Sequence, residues 1–208
     1  MNNNKEWIFI INPVAGKGFA NSLEGKIREM IQKHNIQAEI VFTEKEGHAT
    51  QLSQKYLEKK ARYFIGVGGD GTLNEIAVPL VYKPGVILGA IPGGTCNDFL
   101  QITGFPDNFT DKDWEIFFRG NSMPMDVGTC NGVIFLNGLG LGFDAHIAFE
   151  NFKSPGKTKL SAKQKYITHI LKNLLFYKEK KMIVRTTYDT IETDCFINTI
   201  GNGRRFAG

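Results

Sequence analysis

One pattern recurs four times in the first half of the chain and leaves few folds open. A short apolar run is followed by a turn of small or polar residues, then by apolar residues at helical spacing. Trp7 to Ile11 is continuously apolar and stops at Asn12-Pro13, as a strand buried on both faces does. After Gly16-Lys17-Gly18, apolar residues fall at Leu23, Ile27, Met30 and Ile31, the spacing of an amphipathic helix. Ala38 to Thr43 reads as the second strand, and the next helix carries Ala49, Leu52, Tyr56 and Leu57 on one face. Tyr63 to Val67 is the third strand; a glycine turn leads from it to a helix from Thr72 that Pro79 ends or kinks. Val86 to Ile91 is the fourth, with a short helical stretch near Asn97 to Ile102. Strands alternating with helices through short glycine turns predict an α/β fold: a doubly wound, mostly parallel sheet over residues 1–122.

The rhythm changes from residue 123. Met125 to Cys130 and Val133 to Asn137 read as a hairpin, because Asn131-Gly132 supplies both positive φ angles of a type I′ turn. A glycine-dense stretch (Gly138, Gly140, Gly142), a lysine-rich linker and an amphipathic helix with Ile167, Ile170, Leu171, Leu174 and Leu175 follow. Met182 to Tyr188 and Ile191 to Ile200 look like one more hairpin. Residues 123–208 are therefore expected to form a second, partial antiparallel unit. Two hairpins and a helix are a thin basis for an independent β domain, so a C-terminally truncated chain is expected.

Composition narrows the class. Hydrophobic residues make up 42% and charged ones 22%, enough to build a core and unlike a disordered chain. Three separated cysteines, Cys96, Cys130 and Cys195, exclude a disulfide framework and paired-cysteine zinc patterns, and fit a reducing cytoplasm. No apolar run reaches the ~20 residues that span a bilayer, and the N-terminus does not read as a signal peptide.

The strongest motif is Gly68-Gly69-Asp70-Gly71-Thr72-Leu73-Asn74-Glu75, between a buried strand and a helix. Glycines allow close backbone approach, and the free N–H groups of a helix start favour an anion such as phosphate. Asp70 sets a carboxylate where phosphate would go, which makes sense with Mg²⁺ between them, directly or through water. The plainer reading is that Asp70 only caps the helix. Gly66-x-Gly68-x-x-Gly71 formally fits the dinucleotide fingerprint but lacks the acidic residue about twenty positions on. Gly16-Lys17 is followed by Gly18, so it is no P-loop. Asn12 to Gly18, Thr43-Glu44 and Pro92 to Asp98 leave the other three strands. In an open parallel sheet all four turns share one edge, where ligands bind, and together they point to a phosphate-bearing ligand.

At this level the chain resembles a known family. Asn12-Pro-x-Ala-Gly-Lys-Gly, Gly68-Gly-Asp-Gly-Thr-Leu-Asn-Glu and Pro92-Gly-Gly-Thr-x-Asn-Asp-Phe99 are similar to the catalytic domain of soluble bacterial diacylglycerol kinases and related lipid kinases. Sphingosine kinases belong to the same group, and NAD kinases share the Gly-Gly-Asp-Gly turn more distantly. Asp126-Val-Gly, Phe135-Leu-Asn137, Gly140-Leu-Gly-Phe-Asp144 and Gly201-Asn-Gly203 resemble that family's β-sandwich portion. The resemblance implies ATP as donor and Mg²⁺ as cofactor. It implies an ATP site of Asn12, Pro13, Val14, Ala15, Gly16, Thr43, Gly68, Gly69, Asp70, Gly71, Thr72, Leu73, Asn74 and Thr95. Asp70 would organise Mg²⁺ through water, and Asp98 is the nearest candidate for orienting the acceptor hydroxyl. The acceptor expected first is diacylglycerol; a sphingoid base, phosphatidylglycerol, an isoprenoid alcohol or NAD, or an inactive nucleotide-binding module, stay open. The general base and a structural Mg²⁺ site of the family have no counterpart in these 208 residues.

His34, His48, His146 and His169 share no metal-site spacing, and His48 beside Gly47 reads as a helix-start residue. Cys96 reads as a small packed side chain. Lysines 153, 157, 159, 163, 165, 172, 178, 180 and 181 form a solvated face or a surface for an anionic bilayer, where a lipid substrate would be met. Nucleic acid fits worse, since the cluster lacks aromatic stacking platforms. An unpaired sandwich edge could associate, which leaves a homodimer open.

Overall fold

The computed structural model describes residues 6–153, 170, 173, 174 and 177–203. The expected α/β pattern is present. Strand β1 (Trp7–Ile11) leads through a 3-10 turn (Ala15–Gly18) into helices α1 (Phe19–Ser22) and α2 (Glu24–Lys33). Strand β2 (Ala38–Phe42), helix α3 (His48–Glu58), strand β3 (Tyr63–Gly68), helix α4 (Asp70–Ala77) and strand β4 (Ile87–Pro92) follow. All pairings in this sheet are parallel, in the order β2-β1-β3-β4.

The sheet is wound on both faces because its apolar residues alternate. Trp7, Phe9, Ile11, Ile65, Val67 and Ile91 pack on one face with Ile27 and Met30 of α2 and with Trp114 and Phe118. Ile8, Ile10 and Phe64 pack on the other with Ala49, Leu52 and Tyr56 of α3 and Ile76 of α4. Trp114 lies on helix α6 (Asp111–Phe117), which comes after the short α5 (Leu100–Thr103) and was not anticipated from the sequence.

Strands β5 (Gly128–Cys130) and β6 (Val133–Phe135) form the expected hairpin, with Asn131 at φ 50° and Gly132 at φ 80°. The two compact units of the chain divide at Asn137/Gly138, rather than near Met123. The reason is packing: Met125, Val127, Ile134 and Leu136 join a core cluster with Leu73 and Ala77 of α4, Ala90 of β4, and Phe99 and Leu100. The first unit also takes back the chain from Gly201. There Asn202 donates through Nδ2 to the Asp126 and Leu136 carbonyls, and the Asn202 and Gly203 amides both donate to the Asn137 carbonyl.

The second unit, Gly138–Ile200, holds β7 (Gly138–Gly142), helix α7 (Phe143–Lys153), β8 (Lys180–Arg185), β9 (Thr190–Cys195) and most of β10 (Ile197–Gly201). The glycine-dense stretch is thus a strand, followed by a helix the sequence did not announce. The single long strand expected over Ile191 to Ile200 is corrected to two: β9 pairs antiparallel with β8, whereas β10 pairs with β7. The break falls at Phe196, whose ring stacks on Phe143 and whose carbonyl accepts the Phe143 N–H. The amphipathic helix expected around Ile167 to Leu175 lies outside the described residues except Ile170, Asn173 and Leu174. The three cysteines are free.

Candidate functional site

The strand order places the site. β1 has β2 on one side and β3 on the other, so the connections leaving β1 and β3 run in opposite directions along the sheet. The crevice outside their C-terminal ends is the switch point where open α/β sheets bind ligands. Two of the four turns singled out from the sequence, Asn12 to Gly18 and Gly68 to Asn74, flank that point. They are joined directly: the Asn12 amide N–H donates to the Val67 carbonyl at 2.9 Å, and Asn12 Nδ2 donates to Thr72 Oγ1 at 3.0 Å.

The β4 turn packs against both, backbone on backbone. The Gly93 N–H donates to the Gly68 carbonyl at 3.0 Å, and a Cβ on Gly16 would stand 2.4 Å from the Gly93 oxygen. Asn97 braces this turn from within, accepting the Gly94 N–H through Oδ1 at 3.1 Å. Several glycines expected to make room for a ligand therefore make room for one another. Gly18 and Gly71 differ, with open space where a side chain would be, and only Gly71 of the two has a φ that is not left-handed.

Asp70 holds the β4 turn rather than capping its own helix. Its Oδ2 accepts the Asp98 N–H at 3.1 Å and its Oδ1 accepts the Phe99 N–H at 2.9 Å. Helix α4 starts from N-cap Gly69 with no side-chain cap, which leaves its first turn to other partners. Thr72 is buried and engaged with Asn12. Leu73 turns its side chain inward, 4% exposed and packed into the core with Ala77 and Leu136, which leaves its backbone as the part that faces the turn. Asn74 is half-buried on the same helix.

At β1, Val14 is 77% exposed and its N–H reaches Asn12 Oδ1, while Pro13, Ala15 and Gly16 are half-buried. Gly16 and Lys17 both sit at φ 57° and Gly18 at φ 95°, a run of three left-handed residues that turns the chain tightly. Thr43 leaves the edge strand β2, its N–H donating to the Ile11 carbonyl. Thr95 and Cys96 are exposed on a pocket of about 190 Å³, also lined by Phe19, Asn97, Asp107 and Asp98, the last only 6% exposed. The turns thus meet at one sheet edge, as the sequence spacing required.

Two residues outside the expected set help build the site. Glu75 accepts the Gly47 N–H through Oε1 at 3.1 Å, and its carbonyl accepts the Thr50 hydroxyl at 2.8 Å. His48 accepts the Glu44 N–H through Nδ1, in keeping with a helix-start role. Among the described residues, no group of three or more His, Cys, Asp or Glu could hold a metal ion.

The chain matches the family described as "Diacylglycerol kinase catalytic domain" over residues 6–130. A Staphylococcus saprophyticus protein named diacylglycerol kinase is 30% identical over 151 residues, 72% of this chain and 48% of that protein. A Klebsiella pneumoniae protein named "Probable lipid kinase YegS-like" is 30% identical over 199 residues, 93% of this chain and 65% of that protein. A crystal structure described as that of a diacylglycerol kinase from Bacillus anthracis superposes with a TM-score of 0.71 at 26% identity. The superposition covers 97% of this chain and 67% of that one. This chain spans about half the length of the staphylococcal relatives it matches. All four turns lie within residues 6–130, and the chain belongs to the diacylglycerol kinase catalytic-domain family.

Proposed function

We propose that the first unit binds ATP across the C-terminal edge of its sheet and that the protein transfers the γ-phosphoryl group to a lipid hydroxyl. Diacylglycerol, giving phosphatidic acid, is the acceptor to test first. The observation that carries this reading is the convergence of the β1, β3 and β4 turns on the uncapped first turn of α4. Helix-start N–H groups and the positive end of the helix dipole suit a phosphate, and open space beside Gly71 admits one. Phosphoryl transfer needs mainly positioning and charge neutralisation, which a braced cradle of this kind supplies.

Mg²⁺ fits this site in one manner. Both Asp70 oxygens already accept an amide N–H, so the carboxylate suits hydrogen bonds to a hydrated ion better than direct ligation. Mg²⁺ keeps several waters and is commonly held by one or two carboxylates with the substrate phosphates. When bound, it would neutralise charge on the transferring group. Asn12 to Gly16, Thr43 and Thr95 then shape the nucleotide cleft, and Asp98, on the pocket wall, orients the acceptor hydroxyl.

The acceptor would be met at an anionic membrane surface by a peripheral protein. Among the described residues, no helix is long and apolar enough to cross a membrane. Of the lysine cluster, Lys178, Lys180 and Lys181 are exposed, which is what such a contact requires; the other members' side chains lie outside the described residues.

Titrating the 208-residue chain with ATP, with and without Mg²⁺, and following its Tm tests the donor half. At a hundredfold excess over Kd the folded state gains about 2.7 kcal/mol. The expected result is a Mg²⁺-dependent rise in Tm, with the Mg²⁺-dependent part lost in Asp70→Asn. Absence of any rise at millimolar MgATP would sink the reading. A panel of diacylglycerol, sphingoid base, phosphatidylglycerol, isoprenoid alcohol and NAD then identifies the acceptor. Binding without turnover on all of them would leave a nucleotide-binding module.

A further inference from the structure

Side chains of α4 reach three other loops: Asp70 holds the β4 turn, Thr72 the β1 turn, and Glu75 the loop between β2 and α3. The third connection has no part in the reading above. Helix α3 starts from N-cap Gly47, which is left-handed at φ 76° and has no side chain to cap its helix. In an ordinary capping box, the N-cap side chain accepts an N–H of the first turn, and the residue at the third helical position returns a carboxylate to the N-cap N–H. Here the third position is Thr50, whose hydroxyl instead crosses to the Glu75 carbonyl. The Glu75 carboxylate crosses back to the Gly47 N–H. The return half of the box is therefore supplied by a neighbouring helix, and the negative charge stands at the positive end of α3.

The loop so held runs from Thr43 to Gly47. Thr43 is tied to the sheet through the Ile11 carbonyl, Glu44 to His48 at the start of α3, and Gly47 to Glu75. Glu75 lies about one helical turn beyond Gly71, on the helix whose first turn faces the site. We infer that Glu75 is a positioning residue for the nucleotide: it sets the Thr43 loop, on the edge strand, at a defined distance from the phosphate-facing turn of α4. This inference rests on the ATP reading. What matters is the reach of the Glu75 oxygen to the Gly47 amide, and its charge is secondary.

The full chain and its Glu75→Gln, Glu75→Asp and Glu75→Ala variants test this. Each is titrated with MgATP well below its Tm, and amide exchange at Gly47 is followed without nucleotide. Gln keeps the reach and loses the charge, whereas Asp keeps the charge and is one methylene short. Expected Kd values are within about twofold of wild type for Gln and about tenfold weaker for Asp and Ala, with Gly47 exchange faster in the latter two. Thr110→Ala, which removes the cap of α6, lowers Tm and leaves Kd unchanged, so general destabilisation is controlled. Equal Kd in all Glu75 forms overturns the inference. A weakened Gln beside an intact Asp also overturns it, since charge would then be the operative property. If Ala does not fold, the Gln and Asp pair carries the comparison. A wild type that fails to bind MgATP overturns the ATP reading together with this one; wild-type binding with unchanged variants overturns this one alone.

Discussion

A Cβ on Gly94 would stand 2.3 Å from the Gly69 Cα, whereas a Cβ on Gly71 would meet nothing within 4 Å. Both residues belong to motifs that looked alike in sequence, as glycines giving a ligand room. Packing separates them. Gly94→Ala is expected to lower stability by about 1–3 kcal/mol, because backbone must move to admit the methyl. Gly71→Ala adds helix propensity without a clash and is expected to raise stability by about 0.5–1 kcal/mol. On the ATP reading it also weakens nucleotide binding, since the methyl fills space beside the phosphates. Thermal unfolding with an ATP titration checks both; a more stable Gly71→Ala with unaltered affinity would show that the ligand does not approach this turn. Asp70 carries a related lesson. An Asn there keeps one carbonyl oxygen for two amides, so Asp70→Asn perturbs the β4 turn as well as any water-held ion.

At the scale of elements, the strands and helices that pack with a regular period were legible, and those defined by caps or long-range partners were not. β1 to β4 and α2 to α4 follow their apolar spacing closely. Helix α6 buries Trp114 but is only seven residues long, too short for a periodic signal. Its mark in the sequence was the cap instead: the Thr110 hydroxyl accepts the Asp113 N–H, and the Asp113 carboxylate accepts the Thr110 N–H. Thr110→Ala is expected to lower Tm by about 2–4 °C at neutral pH. The Thr110 hydrogen bonds hold the Asp113 carboxyl below its ordinary value of 3.8. A lowered folded pKa gives stability that is present above the unfolded value and lost as pH falls through the folded one. The gap between wild type and Thr110→Ala should therefore narrow below about pH 3.8. A gap that stays constant into stronger acid would mean the carboxylate does not support the cap.

Across the whole molecule, the two units differ in what covers their strands. In the first, Phe9, Ile10 and Ile65 are at most 2% exposed between two layers of helices. In the second, Ile183 and Ile191 of the β8–β9 pair are each about half exposed, and a lone two-stranded pair is marginal in water. Amides of the central sheet are expected to exchange at least about a hundredfold more slowly than those of the β8–β9 pair. Equal protection would show that the hairpin is covered in solution. The parallel sheet, its helices and the gathering of four turns at one edge could be read from the amino-acid sequence, because these follow from local periodicity and from the direction of parallel strands. The sequence also singled out the turns whose residue types suit a phosphate-bearing ligand. The parting of β9 and β10 at Phe196 and the packing of the β5–β6 hairpin with the first unit depend on long-range contacts. So does the bracing of a different loop by each of Asp70, Thr72 and Glu75, since those bonds join residues 25 to 60 positions apart that no local pattern relates.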